Sequence, residues 1–220
     1  MPLRLLHLSD IHFHVSSPGW DEDRDLREEL VRDVQALVAE HGALDAILVG
    51  GDIAFSAQAA EYAVALAWID AILAVSGGIG RSQVWTVPGN HDVDRSVVKS
   101  SKDVQDFRAE MASCDPMGGV DSTFRRRIAD DPTADGLMMP LAEYNRFAEN
   151  FVCTTQPSSL AWQDNSLSVD GYTVRLTGIN SVMNSGPGDA LHTLVVGTQQ
   201  CRLPRSDDTV QIAMLHHPPH

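Results

Sequence analysis

Short apolar runs alternate with longer amphipathic segments over the first half of the chain. The apolar runs, each short enough for a buried strand, cover residues 3–9, 45–49 and 83–87. The segments between them carry apolar side chains at helical spacing, end near glycine, and cover residues 21–40 and 57–75. This β-α-β-α-β order is typical of a parallel sheet with crossover helices and predicts an α/β fold.

The rest of the chain divides into a helical middle and a strand-rich end. Residues 95–160 combine charged residues, Met and turn punctuation with helical stretches at 97–111, 122–128 and 141–151. We expect this region to be a helical insertion or cap within a single domain over residues 1–220. Short β-type runs separated by turn residues follow at 166–169, 173–179, 194–196 and 210–215. The second half therefore supplies a second set of strands.

The charge and the cysteine content indicate which partners and which cellular compartment suit the protein. The chain carries 16 basic and 30 acidic residues, a net charge of −14. A surface this acidic repels phosphate backbones and disfavours nucleic acid as a partner. No apolar run approaches the ~18 residues of a membrane helix, and the N-terminus lacks a signal-peptide pattern. The odd number of cysteines, without a C-x-x-C pair, favours free thiols and a cytoplasmic location.

Polar side chains of metal-binding types follow four of the predicted strands. In chain order they are Asp10 with His12, Asp52, Asn90 with His91 and Asp92, and His216 with His217. In open α/β sheets, ligands bind outside the carboxyl ends of the strands, so these side chains should converge. Carboxylate, imidazole and carboxamide donors together suit a divalent ion such as Mn, Fe, Zn, Co or Ni.

Each of these motifs, taken alone, also has a simpler interpretation. Asp10 could cap a turn, and Gly51-Asp52 is a common turn sequence. The P-G-N-H-D run at 88–92 is more specific, because three consecutive polar side chains after a tight turn serve no packing purpose. His14 is either a solvent-facing loop residue or a group on the substrate side of the cleft.

Together the motifs resemble those of the calcineurin-like metallophosphoesterases. The matching segments are L-S-D-I-H at 8–12, G-G-D at 50–52, V-P-G-N-H-D at 87–92 and L-H-H-P at 215–218. The resemblance covers the chain from end to end and is greatest to bacterial members of the cyclic-nucleotide-phosphodiesterase type. It implies an α/β fold, a two-sheet α/β/β/α sandwich with a helical insertion, which agrees with the strand-rich second half.

The resemblance also implies a role for each matched residue. Two divalent metal ions (Mn, Fe, Zn, Ni or Co) would ready a bridging hydroxide for attack on phosphorus. Their ligands would be Asp10, His12, Asp52, Asn90 and His216, with Asp52 shared by both ions. His91 would lie beside the phosphate and protonate the leaving oxygen or stabilise charge. His14 and His217 are candidates for the substrate side, and Asp92 is expected to support its loop.

The implied activity is hydrolysis of a small phosphodiester or phosphomonoester, with a cyclic nucleotide as the first candidate substrate. One departure from the family pattern is that G-H-x-H, which supplies a further histidine to each metal, does not occur in the chain. We therefore expect residues 1–220 to be an incomplete catalytic domain, truncated before that motif. The parent chain has room for a further C-terminal domain, and the activity of the 220-residue form is left open. The alternative is a non-catalytic or inactive module that serves as a sensor or scaffold.

Overall fold

The first sheet is parallel and consists of three strands in the order β1–β2–β3. A computed structural model describes residues 2–15, 23–115, 118–129, 134–155, 161–190, 193–203 and 206–218, with the backbone alone over 161–165. The strands are β1 (Leu5–Leu8), β2 (Ala46–Val49) and β3 (Val84–Thr86). Every residue of β2 and β3 is buried, as expected for continuous apolar runs in a parallel sheet.

Two long helices connect these strands, as the sequence predicts. Helix α1 spans Arg24–His41, and helix α2 spans Ala59–Val75. The predicted start of the first helix at residues 21–22 lies outside the described residues. The indole N–H of Trp68 on α2 donates to the carbonyl oxygen of Arg27 on α1, and the Arg27 guanidinium lies 4.7 Å from the centre of the Phe13 ring. These contacts join the helix layer to the loop after β1.

The middle of the chain is helical, but in shorter pieces than predicted. The helices are α3 (Arg95–Ser100), α4 (Lys102–Ser113), α5 (Gly119–Phe124), α6 (Ala134–Met138) and α7 (Ala142–Ala148). The predicted helix at 97–111 breaks at Ser101, because its side chain accepts the amide N–H of Val104 and starts a new helix. That this region is an insertion or cap stays a prediction.

The second sheet contains strands β4 (Ala161–Val169), β5 (Tyr172–Ile179) and β6 (Thr209–Met214). Strand β5 pairs antiparallel with β4 and parallel with β6. The predicted strand at 194–196 is wrong, since this segment joins neither sheet. Its apolar residues pack instead as a loop, in which the Val195 amide donates to the Asn184 side chain.

Both sheets contribute to one hydrophobic core. Val49 of β2 and Leu176 of β5 belong to the same buried cluster, together with Tyr144 of α7. The mixed architecture of two sheets and flanking helices confirms the predicted α/β sandwich. None of the helices in the described part of the chain combines the length and apolar character needed to cross a bilayer. Cys114, Cys153 and Cys201 are free thiols, as predicted.

Replacing Ile47 with alanine removes methyl groups from a fully buried position in the central strand. We expect the free energy of unfolding to fall by about 2–5 kcal/mol, the usual cost of such a cavity. Leu26→Ala on α1, where the side chain is 71% exposed, is the control and should cost less than about 0.5 kcal/mol. Urea denaturation measures both variants, and equal losses would contradict this placement of the core.

Candidate metal centre

The loops that follow β1 and β2 run side by side at the carboxyl edge of the first sheet. The Asp10 amide donates to the Gly51 carbonyl at 3.1 Å, and the His12 amide donates to the Asp52 carbonyl at 3.0 Å. Asp10, His12 and Asp52 have φ angles of 57°, 52° and 51°, in the left-handed region that non-glycine residues seldom adopt. Such strain persists where the surroundings enforce it, and it clusters at functional sites.

Two glycines allow these loops to approach closely. Gly51 has a φ of 98°, and a Cβ there would lie 2.8 Å from both the Gly89 nitrogen and Nδ1 of His216. A Cβ on Gly89 would overlap the Oδ1 and amide nitrogen of Asp52. The glycines of the G-G-D and P-G-N-H-D motifs are therefore required because backbone and site residues occupy the space of a side chain.

The Asp92 carboxylate joins the loop after β2 to the loop after β3. It is fully buried and accepts the amides of Ile53 at 3.2 Å, Ala54 at 2.9 Å and Gly89 at 2.9 Å, and the Tyr62 hydroxyl at 2.9 Å. Burial raises the pKa of Asp92 to about 6, although these hydrogen bonds act in the opposite direction. This contact set agrees with the supporting role expected from the sequence.

Asp52 lies at the centre of the site and is 4% exposed. Its Oδ1 accepts the His91 amide at 2.8 Å, and its Oδ2 lies 3.7 Å from Nε2 of His12 and 3.4 Å from Nε2 of His216. Burial alone would raise the pKa of Asp52, but His216 and the His91 amide outweigh it and lower the pKa. The group is therefore held as a carboxylate.

Backbone carbonyls orient two of the imidazole rings. Nδ1 of His216 is 2.9 Å from the Gly50 oxygen, and Nδ1 of His91 is 2.7 Å from the Phe55 oxygen. Because a carbonyl only accepts, both Nδ1 atoms carry a proton. In the neutral ring the lone pair then lies on Nε2, so Nε2 of His216 is able to bind an ion. Burial opposes charge on His216, but Asp52 outweighs it and raises the pKa of His216 to about 8.

Two groups of side chains have the spacing of metal ligands, and Asp52 belongs to both. One group is Asp10, Asp52 and His216; the other is His12, Asp52 and His91. Within each group the ligand atoms lie within 4.8 Å of one another. A carboxylate common to two such groups is what a bridging ligand between two ions requires.

The chemistry of these donors fits a divalent ion. Two atoms that each lie about 2.1 Å from a tetrahedral ion are about 3.4 Å apart. The Nε2–Oδ2 separation of His216 and Asp52 is 3.4 Å. Nδ1 of His12 is buried and has no hydrogen-bond partner among the described residues. This nitrogen is thus an unsatisfied polar atom beside the site. The nitrogen and oxygen donors of the two groups suit Mn, Fe, Zn, Co or Ni.

The remaining predicted residues lie around this cluster. Oδ1 of Asn90 is 3.1 Å from Nε2 of His217, whose Nδ1 is 3.1 Å from the Ser181 hydroxyl. Burial and the neighbouring His216 lower the pKa of His217. His14 is exposed, with its ring 4.8 Å from that of Phe55. The structure therefore brings five predicted residues to ligand spacing, and His91, expected beside the phosphate, shares a group with His12 and Asp52. Asn90, an expected ligand, contacts His217. The role of each residue stays a prediction.

The sequence motifs assign no role to Phe55 or to Ser181. Ser181 is the second residue after the end of β5, in the region where polar residues follow other strands. That position was an available signal. Phe55 carried none, because an apolar residue after Ile53 and Ala54 resembles a core residue, yet it is 46% exposed beside His91.

A two-sheet α/β sandwich with His and Asp side chains at strand ends defines a class of metal-binding α/β proteins. The family model for calcineurin-like phosphoesterases matches residues 3–220. The chain belongs to this family. No curated protein matches the sequence significantly. The broad resemblance is confirmed, whereas the cyclic-nucleotide-phosphodiesterase type and the truncation stay predictions.

Gly89→Ala tests the close approach of the loops to Asp52. Because the added Cβ would displace the Asp52 carboxylate, we expect a loss of about 1–3 kcal/mol in stability and at least about tenfold in Mn²⁺ affinity. Gly80→Ala is the control, since its Cβ would meet only Gln83 Oε1 at 3.8 Å. Thermal unfolding and Mn²⁺ titration report the two quantities, and an unchanged Mn²⁺ affinity in Gly89→Ala would contradict this geometry.

Proposed function

We propose that this protein hydrolyses a phosphodiester or phosphomonoester with two divalent metal ions held around Asp52. The observation that carries the proposal is that Asp52 is common to two groups of side chains at ligand spacing. Membership of the calcineurin-like phosphoesterase family supports the same reaction class.

The ions would be held by the side chains of Asp10, His12, Asp52, Asn90 and His216, with Asp52 shared. When bound, such ions polarise phosphoryl oxygens and lower the pKa of a coordinated water toward about 7. Within the chain, the Asp92 hydrogen bonds fix the loops that carry Asp52 and Asn90. The Gly50 carbonyl fixes the tautomer of His216, so that its Nε2 points to the Asp52 carboxylate.

His91 is our candidate for the residue that acts on the substrate. Its amide binds Asp52, and its Nδ1–H binds the Phe55 carbonyl, so both backbone and ring are held in place. The ring centre lies 4.5 Å from that of His12. A protonated Nε2 there can donate to the leaving oxygen or stabilise charge on the phosphoryl group.

The finer substrate assignment follows the sequence resemblance. A cyclic nucleotide is the first candidate, and the net charge of −14 disfavours nucleic acid as a substrate. The free thiols suit a reducing compartment, so we include a cytoplasmic location in the proposal.

Asp52→Asn should abolish hydrolysis while keeping the shape of the side chain. We expect the Mn²⁺-dependent rate with bis-p-nitrophenyl phosphate to fall by more than about 100-fold, because the shared anionic ligand is lost. Asp33→Asn, at an exposed position on α1, is the matched control and should retain the rate. Equal rates in the two variants would end the proposal.

Mn²⁺ should also stabilise the folded chain. An ion that binds only the native state adds about 2.7 kcal/mol to the free energy of unfolding at 100 times its Kd. We expect thermal scans to show a rise in Tm with Mn²⁺ for the original chain and for Asp33→Asn, and no rise for Asp52→Asn. Stabilisation without any phosphoesterase activity would support the alternative of a non-catalytic module.

A further inference from the structure

A cavity of about 270 Å³ opens beside His91 and is not used by the proposed metal centre. Its walls include Phe55, Ser56, Val93, Asp94 and Arg95. Pockets for drug-sized ligands begin near about 300 Å³, so this volume suits one small ring system. A larger cavity, of about 520 Å³, lies between β1 and α1 and contains none of the candidate ligands.

Phe55 lines this cavity, and its backbone is fixed by hydrogen bonds. Its amide donates to the Phe13 carbonyl at 3.0 Å, and its own carbonyl accepts Nδ1–H of His91 at 2.7 Å. The residue is nevertheless 46% exposed, with its ring centre 5.4 Å from that of His91 and 4.8 Å from that of His14. A partly exposed aromatic ring beside a candidate catalytic residue is suited to stack on a ligand ring.

The other walls favour an apolar ring over a polar group. The Ser56 hydroxyl is bound to Glu61, and the Asp94 carboxylate is bound to Ser96, so neither needs a ligand. Val93 is 3% exposed and adds an apolar surface. Arg95 forms no ion pair with a described residue, so its guanidinium is available to stack on a ring or to attract an anion.

We propose that this cavity binds the aromatic or heteroaromatic ring of the phosphate ester, stacked on Phe55. The proposal rests on the proposed function and names the substrate class of the same site: ring-bearing phosphate esters, which include nucleotides, in preference to alkyl phosphates. Phe55 is then a specificity-determining residue, because the phosphate would bind at the metal centre whichever group it carries.

Binding of two non-hydrolysable phosphonates tests this preference. Phenylphosphonate and methylphosphonate share the anionic group and differ in the ring, and calorimetric titration of the Mn²⁺-loaded protein measures each Kd. We expect the phenyl compound to bind about tenfold more tightly, because stacking on one aromatic side chain is typically of that magnitude. Phe55→Ala should reduce the ratio to about one, and Phe55→Tyr should restore it.

The control is Tyr172→Ala, which removes an exposed aromatic ring on β5 and should leave the ratio unchanged. Unfolding curves verify that each variant folds. Equal affinities for the two phosphonates in the original chain, or a ratio that survives Phe55→Ala, would overturn this inference alone, provided bis-p-nitrophenyl phosphate is still hydrolysed. Failure of both phosphonates to bind, together with absent hydrolysis, would overturn the proposed function as well.

Discussion

The buried carboxylate of Asp92 is the constraint on which the candidate centre depends. It accepts amides from the loop after β2 and from the loop after β3, and so sets the separation of Asp52 and His91. Burial of this group is unfavourable and raises its pKa to about 6, and the hydrogen bonds from three amides and Tyr62 offset that cost. Asp92 therefore needs no contact with an ion or a substrate, yet it positions Asp52 and His91, which are proposed to make such contacts.

Strain and close contact concentrate around the same carboxyl edge of the sheet. Asp10, His12 and Asp52 adopt left-handed backbone conformations, and Gly89 leaves the space that Asp52 occupies. The backbone preferences of these residues are violated for a geometric reason. The loops must approach closely enough for several donors to face the Asp52 carboxylate. Proteins tolerate such violations mainly at functional sites, where the surrounding packing compensates for them.

Much of the architecture could be predicted because the apolar runs and helical stripes are long and locally consistent. The same apolar runs placed Asp10, Asp52, Asn90 and His216 after the ends of strands. The break at Ser101 and the loop at 194–196 could not be predicted, since a side-chain cap and the Asn184 contact decided them. The exposure of Phe55 could not be predicted either, because it depends on a contact distant in sequence, the hydrogen bond from the Phe55 amide to the Phe13 carbonyl in the loop after β1.

The central claim is that Asp52 is shared between two ions, and the number and coupling of bound Mn²⁺ ions test it most directly. Electron paramagnetic resonance of the chain, with total Mn²⁺ from elemental analysis, gives both quantities. The account predicts two ions per chain whose spins are coupled through a common bridge. Absence of bound Mn²⁺, or two independent uncoupled ions, would contradict it.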